Sequence, residues 1–200
     1  MNYPNGIKKV KTINNTNINY ANRGMGLEHD INSSNEYYLN NNIAVIYKKP
    51  TPITIAKVDY PSRYDAVIKE AYFKTPSTTD YNGIYKGKYI DFEAKETKNK
   101  TSFPISNIHN HQIMHLQKVI EHGGIAFIIV RFTILNKTFL LEAKKMIKYI
   151  EEYKIKSIPL SFFESDGYII KDGFNPVVNY LSIIDKYILG GTKWKNLLKK

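Results

Sequence analysis

Near its middle the chain reads Ser77-Thr-Thr-Asp80-Tyr-Asn-Gly-Ile-Tyr-Lys-Gly-Lys-Tyr-Ile-Asp91-Phe-Glu93-Ala-Lys95. β-Branched and aromatic residues stand on both sides of Lys86-Gly87, which predicts two strands closed by a two-residue turn. Opposed residues then have numbers summing to 173, so Tyr85 faces Lys88, Ile84 faces Tyr89 and Asp80 faces Glu93. Directly opposed side chains share a face with Cβ atoms about 4.5–5.5 Å apart. Glu93 and Lys95, two apart on one strand, share that face as well. Asn82-Gly83 is a competing turn signal, and a turn there would destroy this register.

Outward from the hairpin the pattern alternates. A helix is expected from about Gly26 to Leu39, with Leu27, Ile31 and Tyr38 on one face, ended by Asn40-Asn41-Asn42. Ile43–Lys48 and Ile53–Val58 read as strands around Pro50 and Pro52. Residues 59–78 lack a clear period and form an excursion between strands. A helix over about Ser106–His122, with Ile113, Leu116 and Ile120 inward, stops at Gly123-Gly124. Ile125–Phe132 is a strand suited to a sheet covered on both faces. Phe139–Leu141 adds a strand, a lysine-rich helix runs to about Tyr153, and Val177–Leu189 forms a last amphipathic helix. This order predicts an α/β fold with a central mixed β-sheet flanked by helices. Residues 1–20, rich in lysine and asparagine, read as a flexible basic arm before a single domain over 21–200.

Composition narrows the function. In 200 residues there is no cysteine, which excludes a disulfide scaffold, a thiol nucleophile and cysteine-ligated zinc. The longest apolar run, Ile125–Val130, is far short of the ~20 residues that a bilayer span needs. The early lysines have no apolar segment behind them, so a soluble cytoplasmic protein is expected. Lysine plus arginine number 29 against 18 acidic residues, a net charge of +11, which favours polyanions. A lysine-rich surface of biased composition has the same signature, and charge alone leaves both readings open. His111 and His115 are four apart on the expected helix, yet the glutamate of a His-Glu-x-x-His zinc site is absent. Trp194, in the basic tail, fits either a cap on the fold or a contact with a partner.

Two carboxylates and an amine gathered on one strand face point to phosphodiester hydrolysis. Like charges there need a cation between them, and magnesium takes one or two carboxylates, waters and substrate phosphate. Such a cation acidifies water and neutralises developing charge, and Lys95 would add a positive point charge beside the phosphoryl oxygens. A solvated strand face on which Lys95 pairs with Glu93 or Asp91 is the plain alternative.

The same residues resemble the active-site hairpin of the RecU family of Holliday-junction resolvases, which have a PD-(D/E)XK nuclease-like, restriction-endonuclease-like core. Similarity runs through Asn22-Arg-Gly-Met25, Lys49-Pro-Thr-Pro52, Val58-Asp-Tyr-Pro61, Ile68 to Phe73, Pro76 to Gly83 and Tyr89 to Lys98. It continues in Thr101 to Pro104, His111-Gln112 and Gly123-Gly124. The resemblance implies that Thr78, Asp80, Glu93 and Gln112 bind Mg2+, with Mn2+ as the alternative, and that Lys95 stabilises the transition state. It implies that residues 59–78 are a protruding stalk that enters the junction, with Arg63, Lys69, Tyr72, Phe73 and Lys74 on DNA, and that Arg23 touches DNA from the N-terminal side.

The family-based expectation is a homodimer that nicks four-way junction DNA symmetrically during recombination and repair. Ligatable 5′-phosphate ends would result, with the recombinase RecA and the branch-migration helicase RuvAB as partners and no membrane. Two rivals stand beside it: a catalytically silent junction-binding protein, and a nuclease of related fold with another DNA substrate.

Overall fold

The computed structural model describes residues 26–62, 65–74 and 78–190. The basic arm over residues 1–20, Arg23, Arg63 and Trp194 with the tail around it lie outside the described residues.

The hairpin forms in the expected register. Strands β4 (Tyr81–Tyr85) and β5 (Lys88–Thr97) pair antiparallel, with Tyr81 opposite Phe92 and Tyr85 opposite Lys88. Lys86 and Gly87 both have positive φ, 48° and 72°, the turn whose twist matches two antiparallel strands. Asn82-Gly83 makes no turn, because Gly83 lies inside β4. A Cβ there would sit 2.1 Å from the Val45 carbonyl oxygen, so glycine lets β1 (Val45–Lys48) come alongside. Asp185, a hundred residues on, accepts hydrogen bonds from Tyr85 OH at 2.8 Å and Lys86 Nζ at 2.6 Å, and so clasps the tip of the hairpin.

The central sheet has six strands, in the order β1, β4, β5, β7 (Ile125–Phe132), β8 (Lys137–Glu142) and β10 (Tyr168–Ile170). Only β5 and β7 run parallel, so the sheet is mixed as expected. On one face pack α1 (Leu27–Asn40), through Leu27, Ile31 and Tyr38, and the C-terminal residues Tyr180 to Ile184. Phe92 stacks between Tyr81 and Phe127 there, with centroids 4.8 and 4.7 Å away, and such aromatic pairs contribute about 0.5–1.5 kcal/mol each beyond area burial. Three helices cover the other face: α2 (Asn110–Glu121), α3 (Ala143–Tyr153) and α4 (Leu160–Asp166), which bury Leu116, Met146 and Phe163 against Ala126, Ile128 and Val130. Because side chains alternate along β5, Ile90 and Phe92 enter the first layer while Asp91, Glu93 and Lys95 face the α2 side.

Several expectations need correction. The excursion over 59–78 contains a strand, β3 (Val67–Phe73), and its partner β2 (Ile53–Asp59) leaves the central sheet to form a separate two-stranded ribbon with it. All of β3 and nearly all of β2 are exposed, so no inward face existed to give the segment a period. The helix expected from Ser106 begins at Asn110, after a single 3-10 turn over Ile105–Asn107. The last helix is shorter than expected: α5 spans Tyr180–Ile183 and passes into one wider π turn over Ile184–Ile188. Short strands β6 (Ser102–Pro104) and β9 (Ser157–Pro159) pair with each other, and neither was anticipated, nor were α4 and β10.

Candidate active site

Asp80 precedes β4 by one residue and continues its register, so its backbone N–H reaches Glu93 Oε2 at 3.0 Å. Glu93 is fully buried, and Lys95 Nζ stands 2.6 Å from its Oε1. The three groups therefore meet on one face of the sheet. Burial pushes the Glu93 carboxyl up to about 7; the Asp80 carboxyl beside it adds to the rise and Lys95 opposes it. A carboxyl raised in this way holds its proton because burial strips water from its charged form by more than one ammonium offsets.

The donor set fits a hard divalent cation. Glu93 Oε1 is buried and receives no hydrogen bond; the nearby ammonium supplies charge without a directed donor. The ammonium balances part of the charge on this buried oxygen, and a divalent cation would satisfy the lone pairs that no hydrogen bond reaches. Among the described residues no three acidic, histidine or cysteine side chains converge, so a cation here would have two carboxylates and complete its shell with neutral oxygens and water, the arrangement magnesium prefers.

The other expected ligands are arranged less directly. Thr78, half-buried, leads into Asp80, and its hydroxyl bonds the Thr79 carbonyl at 3.4 Å. Gln112 is buried in the first turn of α2, where its Oε1 accepts the His109 backbone N–H at 2.9 Å. One lone pair of that amide oxygen remains. His115, one turn on and so on the same helix face, reaches back to β5 with Nε2 3.1 Å from Asp91 Oδ2.

Asp91 is the residue that reading from sequence missed. It is fully buried, two positions before Glu93 on the same face. Lys49 Nζ at 2.9 Å, Tyr89 OH at 2.8 Å and His115 Nε2 surround Oδ2, and the Thr79 hydroxyl donates to Oδ1. Glu93 Oε1 has no hydrogen bond, whereas both oxygens of Asp91 accept them. The signal was its place in the Asp-x-Glu-x-Lys run of a strand with apolar residues at the alternate positions.

The expected DNA contacts Lys69, Tyr72, Phe73 and Lys74 lie on or just beyond β3, with Phe73 82% exposed. Lys69 is 3.6 Å from Asp59 across the ribbon. No helix among the described residues is long and apolar enough to cross a membrane.

Comparison with known proteins gives a consistent result. The family described as RecU, Recombination protein U, matches residues 22–186. A Holliday junction resolvase RecU from Geobacillus sp. (strain WCH70) is 58% identical over 171 residues, covering 84% of this chain and 85% of that protein. One from Bacillus cytotoxicus is 52% identical over 194 residues, covering 92% and 96%. The match spans the hairpin, the ribbon and both layers of helices, and on that extent the chain belongs to the RecU family.

Proposed function

We propose that this protein is a Holliday-junction resolvase, an endonuclease that cuts four-way DNA junctions in homologous recombination and repair. The observation that carries the reading is the meeting of Asp80, Glu93 and Lys95 on one sheet face, in a chain of this family. Asp80 and Glu93 hold a magnesium ion, with Thr78 and Gln112 adding neutral oxygens to its shell; manganese would satisfy the same set. When bound, the ion supplies Lewis-acid charge and lowers the pKa of water. Lys95, with its ammonium fixed beside Glu93, faces the charge that grows on the phosphoryl oxygens. Hydrolysis leaves a 5′-phosphate and a 3′-hydroxyl, ends that a ligase can seal.

The ribbon is the stalk. It carries Lys69 on its outer part and exposes Tyr72, Phe73 and Lys74 near its base, a mixture of phosphate-seeking charge and stacking surface that suits bases splayed at a junction. Arg63, Arg23 and the basic arm extend the phosphate contacts. Symmetric nicking needs two sites related by a two-fold axis, which a homodimer provides. The chain forms a single nuclease domain over 21–200 that works in the cytoplasm on chromosomal DNA, where RecA and RuvAB handle the same intermediates.

Wild type and Asp80→Asn are incubated with a labelled immobile junction, with and without magnesium. Paired symmetric nicks only with wild type and metal are expected. No cleavage by wild type, or equal cleavage by the variant, overturns the reading.

A further inference from the structure

The two feet of the ribbon end on one buried carboxylate. On the way out, β1 stops at Lys48, and Lys49 precedes Pro50-Thr51-Pro52, a connector whose prolines restrict both their own φ and the residue before each. At the ribbon's base the Lys74 N–H bonds the Pro52 carbonyl at 2.9 Å. On the way back the chain reaches Thr78, Thr79 and Asp80. Lys49 binds this returning segment twice: its N–H donates to the Asp80 carbonyl at 2.7 Å and its Nζ lies 3.0 Å from Thr79 Oγ1. Lys49 Nζ and the Thr79 hydroxyl then share Asp91, one on each carboxylate oxygen. His115 joins from α2, the helix that begins beside Gln112.

We propose that Asp91 is a positioning residue of the active site, fixing both feet of the ribbon to β5 through Lys49 and Thr79 and so setting Asp80 against Glu93. Both of its oxygens are already engaged, Oδ2 by Lys49, Tyr89 and His115 and Oδ1 by Thr79, whereas Glu93 two residues on keeps one oxygen without a hydrogen bond. Strain on the ribbon when it takes up DNA passes through these feet to the segment that carries Thr78 and Asp80. The inference rests on the resolvase reading for its chemistry, but its core claim, control of the Asp80–Glu93 geometry, can be measured without cleavage.

Full-length wild type, Asp91→Asn, Thr79→Val, Thr79→Ser, Lys49→Met and the Lys49→Met/Asp91→Asn double variant are compared. Mn2+ affinity is read by electron paramagnetic resonance in the absence of DNA, junction affinity without metal, and single-turnover cleavage at saturating enzyme. Groups that orient metal ligands typically alter affinity or activity by about 10–100-fold. Asp91→Asn and Thr79→Val should weaken Mn2+ and slow cleavage by about tenfold or more while junction affinity stays within about threefold. Thr79→Ser, which keeps the hydroxyl, should recover most of the loss. The double variant should be no worse than the poorer single one, because both remove one linkage.

Wild-type Mn2+ affinity in Asp91→Asn and Thr79→Val overturns the proposal, as do losses that multiply in the double variant. Loss of junction binding in step with cleavage also overturns it, since that marks general unfolding. If wild type binds Mn2+ but does not cut junctions, and Asp91→Asn weakens the ion, the positioning role stands and the resolvase reading falls.

Discussion

The central sheet and the ribbon are built from similar residues and meet opposite fates. Strand β7 buries Ile125, Phe127, Ile128 and Ile129 from both sides, whereas β2 and β3 leave Ile53, Ile55, Ile68, Tyr72 and Phe73 in solvent. An isolated two-stranded hairpin is at best marginally stable in water, and exposed apolar surface of this extent marks a place where something binds. The sheet is therefore kept by its own packing. The ribbon is kept by its anchored feet and by what it touches. Stability and DNA handling should separate along the same line.

The largest effect belongs to the site. Asp80→Asn and Glu93→Gln are expected to abolish junction cleavage while junction affinity stays within about tenfold, since affinity comes mainly from phosphate contacts; gel-shift and nicking assays on one preparation measure both. Affinity that collapsed with cleavage would erase the separation. Next in size is the core. Phe92→Ala removes the middle ring of the Tyr81–Phe92–Phe127 stack and should cost about 3–5 kcal/mol in urea unfolding.

The titration of Glu93 comes third. Its folded carboxyl titrates near 7, above the ordinary 4.5, so between those values the folded state holds more protons than the unfolded one. Stability without metal is then full below about pH 4.5 and falls as pH rises through about 7, by about 3 kcal/mol. Glu93→Gln should flatten that slope in urea melts at pH 5 and pH 8, and divalent cation should restore stability at the higher pH. An equal slope in the variant would assign the dependence to other groups. The smallest effect on folding is at the base of the ribbon, where Phe73 lies opposite Ile53 yet stays exposed. Phe73→Ala should change unfolding free energy by less than about 0.5 kcal/mol yet weaken junction selectivity by about tenfold, the scale of one lost stacking contact. A large fall in the unfolding midpoint would show that the ribbon packs on the body after all.

What could be read from the sequence follows the same division. The hairpin register was legible because Lys86-Gly87 and the alternation along β5 agree, and a shift by one residue would turn Phe92 onto the face of the site and Glu93 into the aromatic layer. β7 was legible as an unbroken apolar strand. β3 was not, since a strand exposed on both faces has no inward set of residues to repeat every second position. Leu181, Ile183 and Ile184 carried the helical pattern of the last segment, but the widened turn after Ile183 has no compositional mark. In the site, Asp80, Glu93 and Lys95 were legible from the register, whereas Thr78 and Gln112 came only from family resemblance. Asp91 escaped notice because a strand carboxylate looks solvated until Lys49, forty-two positions away, is seen closing over it.

The clasp at Asp185 sets an order on biosynthesis. The turn at Lys86-Gly87 leaves the ribosome about a hundred residues before the carboxylate that holds it, so the growing polypeptide carries a complete set of acidic and basic site groups on a hairpin with a loose end. Only when translation has passed Asp185 does that end become tied, and a chain cut short before that residue would leave it untied for good.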